Sequence, residues 1–384
     1  MMDVHTKEQR SYNMSRIKGK DTKPEMLVRK FLHGNGFRYR LHDKKLPGKP
    51  DIVLSKYNTV IFVHGCFWHG HKGCKYYTIP KTRTEWWLNK INGNIANDVK
   101  AIKAADFTVA IDCINSVGGI ILPQLLKSLG VVRIIEINTT PDGNFAHNPE
   151  PLPENLKGIS ELVVRGKADI GIVVDPDVDR LAFVCEDGNM FGEEYTLVSI
   201  SDYILKNTPG NTVSNLSSTR ALSEVTAKYG GKHYSSAVGE VNVVEEMKKR
   251  NAVIGGEGNG GVIYPELHYG RDALAGIALF LSHLAKSKLK CSALRKLYPE
   301  YVIAKKKLIL SPTADFSQII DDVKNYFKGH SIDERDGLWI ETQFGWVQIR
   351  KSNTEPVMRI YAEGRTAHEA ENLADSVIAI VKKT

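Results

Sequence analysis

The sequence predicts an α/β protein built from several domains, and three observations carry that expectation. Through most of the chain, apolar runs of strand length alternate with stretches of helical spacing. The chain has 384 residues, beyond the roughly 250 at which a single core stops growing. Charge, finally, is divided at a seam near residue 100. Residues 1–100 hold 20 Lys+Arg against 8 Asp+Glu, a net of +12, which leaves −4 for residues 101–384. That asymmetry argues for two modules with different partners, and the whole-chain value of +8 hides it.

Composition excludes several classes. No apolar run approaches the roughly 18 residues a membrane helix needs, so no membrane partner is expected. The first residues, Met1 to Arg16, lack the apolar stretch of a secretory signal. Five Cys are too few for a disulfide framework, and Cys66, Cys74 and Cys113 lie near the seam, where a metal suits them better than a bridge. A cytoplasmic location is the expectation.

In the basic module, Thr22-Lys-Pro-Glu25 opens a helix, with Thr22 as cap, Pro24 in the first turn and Glu25 at the capping-box position. Leu27, Val28, Phe31 and Leu32 form its apolar stripe, and Gly34-Asn-Gly36 stops it. Leu46-Pro-Gly-Lys-Pro-Asp51 leads into a short apolar run, Ile52–Leu54. After a turn at Ser55–Asn58, the stretch Thr59–His64 reads as a buried strand. Helical spacing resumes around Glu85–Val99.

The densest chemistry lies between. Cys66, His71 and Cys74 supply two thiolates and an imidazole within one Gly-rich loop, the donor types of a structural tetrahedral Zn²⁺ site, which would need a fourth ligand. Asp51, after Pro50 at a hairpin entrance, can hold Mg²⁺. Glu25, His64 and His69 are further candidates, since an imidazole near a divalent metal can deprotonate water. Singly, each of these also suits a plainer role as buried thiol, turn residue, helix cap or strand-end histidine.

The assembled pattern resembles the very-short-patch-repair (Vsr) mismatch endonucleases. The strings that carry it are Arg10-Ser-Tyr-Asn-Met-Ser-Arg-Ile17, Leu46-Pro-Gly-Lys-Pro-Asp51, Val60-Ile-Phe-Val-His-Gly-Cys-Phe-Trp-His69 and Thr82-Arg-Thr-Glu-Trp-Trp-Leu-Asn-Lys-Ile91. The resemblance covers residues 3 to about 100 and implies a restriction-endonuclease-like domain, 1–100, truncated at its C-terminal end. It implies Mg²⁺-dependent nicking of double-stranded DNA 5′ to the T of a T·G mismatch. Asp51 would be the metal carboxylate, aided by the Val63 carbonyl. His69 would be the general base, assisted by Glu25, His64 and Asp98. Phe67, Trp68 and Trp87 match the aromatics that wedge into the base stack, where stacking offsets the cost of unstacking a mispaired step. The net of +12 suits phosphate contacts and strongly salt-dependent binding. The family's fourth zinc ligand is a Cys on a later strand. Here the likeness stops after Asp98; Cys113 could replace that ligand by accident of position, although the strand it ends belongs more naturally to the second module.

Beyond the seam, a strand at Thr108–Asp112 leads through Gly118-Gly119 into a helical stretch ending at Leu129, then a strand at Val131–Ile137. This is βαβ alternation, with a parallel sheet expected. A further strand, Ala168–Val174, runs into Asp175-Pro-Asp-Val-Asp-Arg180. Carboxylates at i, i+2 and i+4 on a turn after a strand can converge on one hard cation, although a solvated acidic turn has the same composition. Gly255-Gly-Glu-Gly-Asn-Gly-Gly261 frees backbone for a ligand, and Glu257 and Asn259 can bond vicinal hydroxyls. It also suits a flexible turn. Arg350-Lys-Ser-Asn-Thr-Glu-Pro-Val-Met-Arg359 offers two guanidinium groups, hydroxyls and backbone N–H groups as a phosphate cradle, or a polar hairpin turn.

Together the three loops resemble the metal, sugar and phosphate loops of the α-D-phosphohexomutases (phosphomannomutase/phosphoglucomutase). Thr219-Arg220 and Val238-Gly-Glu240 fit the same family's third domain. The resemblance implies two α/β domains, 101–207 and 208–299, then an α+β domain, 300–384. It implies Mg²⁺ on Asp175, Asp177 and Asp179, sugar hydroxyls on Glu257 and Asn259, and substrate phosphate on Arg350, Ser352, Asn353 and Thr354. Asn259 stands where the family often has Ser. The family's first domain carries a phosphoserine, and this chain is expected to lack it. Its closest string, Phe145-Ala-His-Asn-Pro149, has no Ser and lies elsewhere. Three functions follow as expectations: a DNA-nicking module with appended hexose-phosphate-binding domains, a phosphohexomutase fragment inactive without its first domain, or a fused reading frame with neither activity.

Overall fold

A computed structural model describes residues 23–34, 36–41, 52–57, 59–61, 97–150, 152–310, 315–343, 345–351 and 357–382. The chain divides into two compact units, Met1–Thr84 and Glu85–Thr384. The division falls ahead of the charge seam near residue 100.

In the first unit, helix α1 (Lys23–Gly34) has Glu25 in its first turn. Leu32 and Arg29 are buried, and the Tyr39 hydroxyl donates to the Arg29 carbonyl at 3.1 Å, tying the returning chain to the helix. Strands β1 (Arg40–Leu41), β2 (Ile52–Leu54) and β3 (Thr59–Ile61) form an antiparallel meander in that order. Ile52, Val53 and Leu54 are all buried, so β2 is covered on both faces. Asp51, Val63, His64, Cys66, Phe67, Trp68, His69, His71, Cys74 and Trp87 lie outside the described residues.

The first described element of the second unit is a helix that includes residues 97–105 (α2). It then builds a sheet of order β5-β4-β6-β7 from β4 (Thr108–Asp112), β5 (Arg133–Ile137), β6 (Ile170–Val174) and β7 (Leu181–Cys185). The first three are parallel and β7 is an antiparallel edge. Residues of β4 alternate between two cores. Val109 and Ile111 meet Leu122 and Leu126 of α3 (Gly118–Leu129), while Ala110 meets Ile159 and Val163 of α4 (Lys157–Gly166). Burial on both faces is why these strands read as unbroken apolar runs. The chain reverses its direction across the sheet between β4 and β6, a topological switch point where ligands of open α/β sheets bind.

Helix α5 (Glu193–Asn207) follows, then β8 (Asn211–Asn215), α6 (Ala221–Lys228), β9 (His233–Ser236), α7 (Glu240–Arg250), β10 (Ala252–Glu257), β11 (Gly261–Ile263), α8 (Ala273–Ser287) and α9 (Cys291–Arg295). Their sheet has order β11-β10-β8-β9. Helix α5 packs on α6, α8 and β10 of this second sheet as well as on β7, so the expected boundary at 207 cuts through a shared core.

The last sheet is antiparallel, of order β12-β16-β15-β14-β13, from β12 (Val302–Ile309), β13 (Ser331–Asp333), β14 (Leu338–Glu341), β15 (Gly345–Lys351) and β16 (Val357–Gly364). Helices α10 (Phe316–Tyr326) and α11 (Ala367–Val381) share one core with it, the α+β arrangement expected. A full capping box, Thr366 with Glu369, starts α11. Among the described residues no helix is long and apolar enough to cross a membrane.

Candidate functional site

The acidic loop leaves β6 at the switch point. Asp175 is buried, and its Oδ1 accepts from the Asp179 and Arg180 amides, each at 3.0 Å. The Val178 amide donates to the Asp175 carbonyl at 3.1 Å, which forces Val178 to a φ of 59°, a strained value for a β-branched residue. The turn so formed brings one oxygen of each of Asp175, Asp177 and Asp179 within 4.8 Å of the others. Burial, with Asp179 and Asp177 adding, pushes the Asp175 carboxyl up to about 7. Asp179 Oδ1 is buried with no hydrogen-bond donor. Three crowded carboxylates and an orphaned oxygen fit a hard divalent cation such as Mg²⁺. A cavity of about 400 Å³ lies over the loop, walled by Asp177, Asp179 and Arg271 on one side and Val117, Ile120 and Ile121 of the α3 entrance on another.

The Gly-rich loop joins β10 to β11 beside it. The Leu181 amide donates to the Gly260 carbonyl at 3.1 Å, so the acidic and Gly-rich loops are bonded directly. Gly260 has φ +86°, and a Cβ there would lie 2.3 Å from the Leu181 carbonyl oxygen. The Asn259 side chain is half-buried and caps the Gly261 amide at 3.2 Å. Glu257 is buried and its carboxylate is engaged at both oxygens. Oε1 accepts from Asn215 Nδ2 at 2.9 Å and the Gly239 amide at 3.1 Å, and Oε2 from Arg271 Nη1 at 3.0 Å. Glu257 therefore organises the loop.

Arg271 is a residue that sequence reasoning missed. Its guanidinium pairs with Asp179 of the acidic loop, Glu257 of the Gly-rich loop and, at 3.4 Å, Glu240 of the Val238-Gly-Glu240 turn. Glu194 was missed as well. It lies under Gly258, accepts from the Thr219 amide at 2.9 Å, and burial pushes its carboxyl up to about 8. Asp112, at the end of β4, takes both Asn138 Nδ2 contacts at 3.1 Å and faces His147 Nε2 at 3.3 Å. The bond to Asp112 raises the His147 pKa. The Phe145–Pro149 string thus serves the switch point of this sheet.

At the third loop, Arg350 of β15 lies opposite Arg359 of β16 in register. Adjacent guanidinium groups on facing strands call for an anion between or above them. Arg350 Nε is 2.9 Å from Asp336 Oδ2, which also accepts from the Val238 amide at 2.9 Å. Ser352, Asn353 and Thr354 lie outside the described residues.

Cys113 and Asp98, near the seam, both lie within the second unit. Cys113 is fully buried in the core of the second unit, where burial pushes its thiol up to about 12. Asp98 sits in α2, accepts from the Tyr203 hydroxyl at 3.1 Å and pairs with Lys286, so it is tied into the second unit.

Residues 2–75 match the family model for DNA mismatch endonuclease Vsr. The models for phosphoglucomutase/phosphomannomutase match at alpha/beta/alpha domain II over residues 86–188, at alpha/beta/alpha domain III over 192–301, and at the C-terminal domain over 304–380. The type II nicking enzyme V.NmeAIP of Neisseria meningitidis is 57% identical over 100 residues, 26% of this chain and 71% of that protein. A phosphoglucomutase/phosphomannomutase of Thermococcus kodakarensis is 34% identical over 296 residues, 74% of this chain and 63% of its own length. The chain thus spans under two thirds of that relative. A crystal structure of a phosphoglucomutase/phosphomannomutase family protein from Burkholderia thailandensis superimposes with a TM-score of 0.64 at 26% identity, covering 77% of this chain and 69% of that one.

Proposed function

The chain belongs to the Vsr endonuclease family through its N-terminal part and carries phosphoglucomutase/phosphomannomutase domains II to IV in the remainder, and from that premise we propose a DNA-nicking module fused to a Mg²⁺-dependent hexose-phosphate-binding module. The observation that carries the second half is the convergence of Asp175, Asp177 and Asp179 beside the Gly-rich loop, with one carboxylate oxygen left without a donor. These three residues would hold the Mg²⁺, which supplies charge neutralisation for a phosphoryl group. Glu257 and Asn259 would orient sugar hydroxyls. Arg350 and Arg359, with Ser352, Asn353 and Thr354 on the turn between them, would hold the phosphate.

Calorimetry of the full chain with glucose 1-phosphate and mannose 1-phosphate tests this reading. Binding is expected with Mg²⁺ and is expected to fall at least about tenfold in Arg350→Met, the scale of a lost charge-assisted bond. Absence of binding to the unmodified chain refutes it. Conversion to the 6-phosphate in the presence of a bisphosphate activator would extend the reading to mutase turnover.

For the first half, the 57% likeness to a nicking enzyme carries the proposal. Asp51 would hold Mg²⁺ with the Val63 carbonyl, and His69 would take a proton from the attacking water, assisted by Glu25 and His64. Phe67, Trp68 and Trp87 would enter the base stack at a T·G step, and Cys66, His71 and Cys74 would share a structural Zn²⁺. Nicking of a T·G duplex at low salt, abolished in Asp51→Ala, is the expected result. Equal nicking by the variant overturns the assignment. Metal analysis giving no zinc in the purified chain removes the Cys66–His71–Cys74 site.

A further inference from the structure

Arg271 is held at both ends of its backbone. It forms an isolated antiparallel bridge with Ile263 at the end of β11, and its neighbour Asp272 caps α8, accepting from the Ala275 amide at 2.9 Å. The side chain is 15% exposed. Its nitrogens reach carboxylates on three separate segments: Nη2 to Asp179, Nη1 to Glu257 at 3.0 Å and Nε to Glu240 at 3.4 Å. Its own amide donates to Glu240 Oε1 at 3.2 Å. A Cβ on Gly261 would lie 2.5 Å from its Cδ, so the bare glycine makes room for the side chain. Burial opposes the charge, but Asp179, Glu257 and Glu240 outweigh it and hold the guanidinium ionised.

From this geometry we infer that Arg271 couples cation binding at the acidic loop to sugar-phosphate binding at the Gly-rich loop, so that occupancy of either site changes the affinity of the other. The inference rests on the hexose-phosphate reading above. Asp179 cannot give its charge to a divalent cation and hold the guanidinium unchanged. A cation on Asp179 repels Arg271 and shifts its hold toward Glu257 and Glu240. Glu257 Oε1 is already committed to Asn215 and Gly239, so the change is expressed at the loop that Glu257 organises. Linkage then requires an equal effect in the other direction. The planar fork matters to the scheme, because it reaches Glu257 through Nη1 and Asp179 through Nη2 in one fixed geometry that an ammonium does not reproduce.

The experiment uses the full chain, Mn²⁺ as probe cation followed by electron paramagnetic resonance, and glucose 1-phosphate as probe ligand. The Mn²⁺ dissociation constant is measured with and without saturating glucose 1-phosphate in the unmodified chain, Arg271→Met and Arg271→Lys, with circular dichroism to verify folding. The ratio is expected to differ from one by about fivefold or more in the unmodified chain, the lower end of ordinary coupling, and by less than about twofold in Arg271→Met. Arg271→Lys keeps the charge and loses the fork, so it is expected to lose the coupling too, and it decides the matter if Arg271→Met does not fold. A ratio of one in the unmodified chain, or an unchanged ratio in a folded variant, overturns the inference alone. Failure of glucose 1-phosphate to bind the unmodified chain overturns the hexose-phosphate reading, and the inference with it.

Discussion

The indole N–H of Trp346 donates to Glu363 Oε1 at 2.7 Å within the C-terminal sheet, where Glu363 has no solvent exposure. The two residues face each other in register on β15 and β16. The same carboxylate accepts from the Arg220 amide and lies 3.3 Å from Arg220 Nε, so it fastens the Thr219-Arg220 motif to the last sheet. Trp346→Phe would leave a buried carboxylate short of a donor. It is expected to cost about 1–3 kcal/mol in urea unfolding, with Glu363→Ala costing more. An unchanged midpoint for both would show that the bond is dispensable.

His233 predicts an acid limb in stability. Its Nδ1 lies 2.9 Å from Thr212 Oγ1 and its Nε2 3.3 Å from Ser214 Oγ, and burial pushes its pKa from 6.5 down to about 4. The unfolded chain therefore takes up a proton on this ring before the folded chain does. Its contribution is present above pH 6.5 and is lost as pH falls through about 4. Urea midpoints of His233→Gln should change less between pH 7 and pH 4.5 than those of the unmodified chain. Parallel curves would reject the assignment.

Asp175 makes cation binding sensitive to pH. With its carboxyl pushed up to about 7, a proton competes with the metal below that value. Mn²⁺ affinity should fall as pH drops from 8 to 5.5, approaching about tenfold per unit at the acid end. The sign for stability without a cation is the reverse. A carboxyl raised above its ordinary 3.8 stabilises the fold while protonated, and that contribution is lost as pH rises through about 7. A Mn²⁺ affinity flat across this range would remove Asp175 from the ligand set.

Gly258→Ala would place a Cβ 1.9 Å from Glu194 Oε2. The Gly-rich loop would have to lift, at a cost of about 1–3 kcal/mol typical of overpacking. Both a lowered melting temperature and weakened glucose 1-phosphate binding are expected. Full binding by the variant would place the ligand away from this loop.

The net charge of +12 in residues 1–100 predicts DNA affinity that falls steeply with salt. Arg350→Met, in the second unit, should leave that salt slope unchanged while weakening sugar-phosphate binding. A reduced slope would implicate the C-terminal sheet in DNA contact.

The acidic loop was legible in the sequence because its carboxylates are local, at i, i+2 and i+4 after an apolar strand, and strand burial is written as an unbroken run. The parallel sheet was legible for the same reason. Arg271 was not, because its three carboxylates come from 14, 31 and 92 residues away in sequence, each on a different segment. Glu257 was legible as a loop residue, but its bonds to Asn215 and Gly239 are non-local and invisible to a motif. Helix α5 was placed with the first sheet by sequence order, whereas the apolar faces it covers belong to both sheets.

Helix α2 has a practical consequence for anyone who wishes to handle the two halves apart. Ile102 is fully buried in the main core, and Asp98 holds Tyr203 and Lys286. Scissors applied at residue 100, where the charge changes, would pull the carboxylate of Asp98 away from its cation and leave a raw apolar stump on the larger fragment. Division after Thr84 keeps that helix with the neighbours it serves.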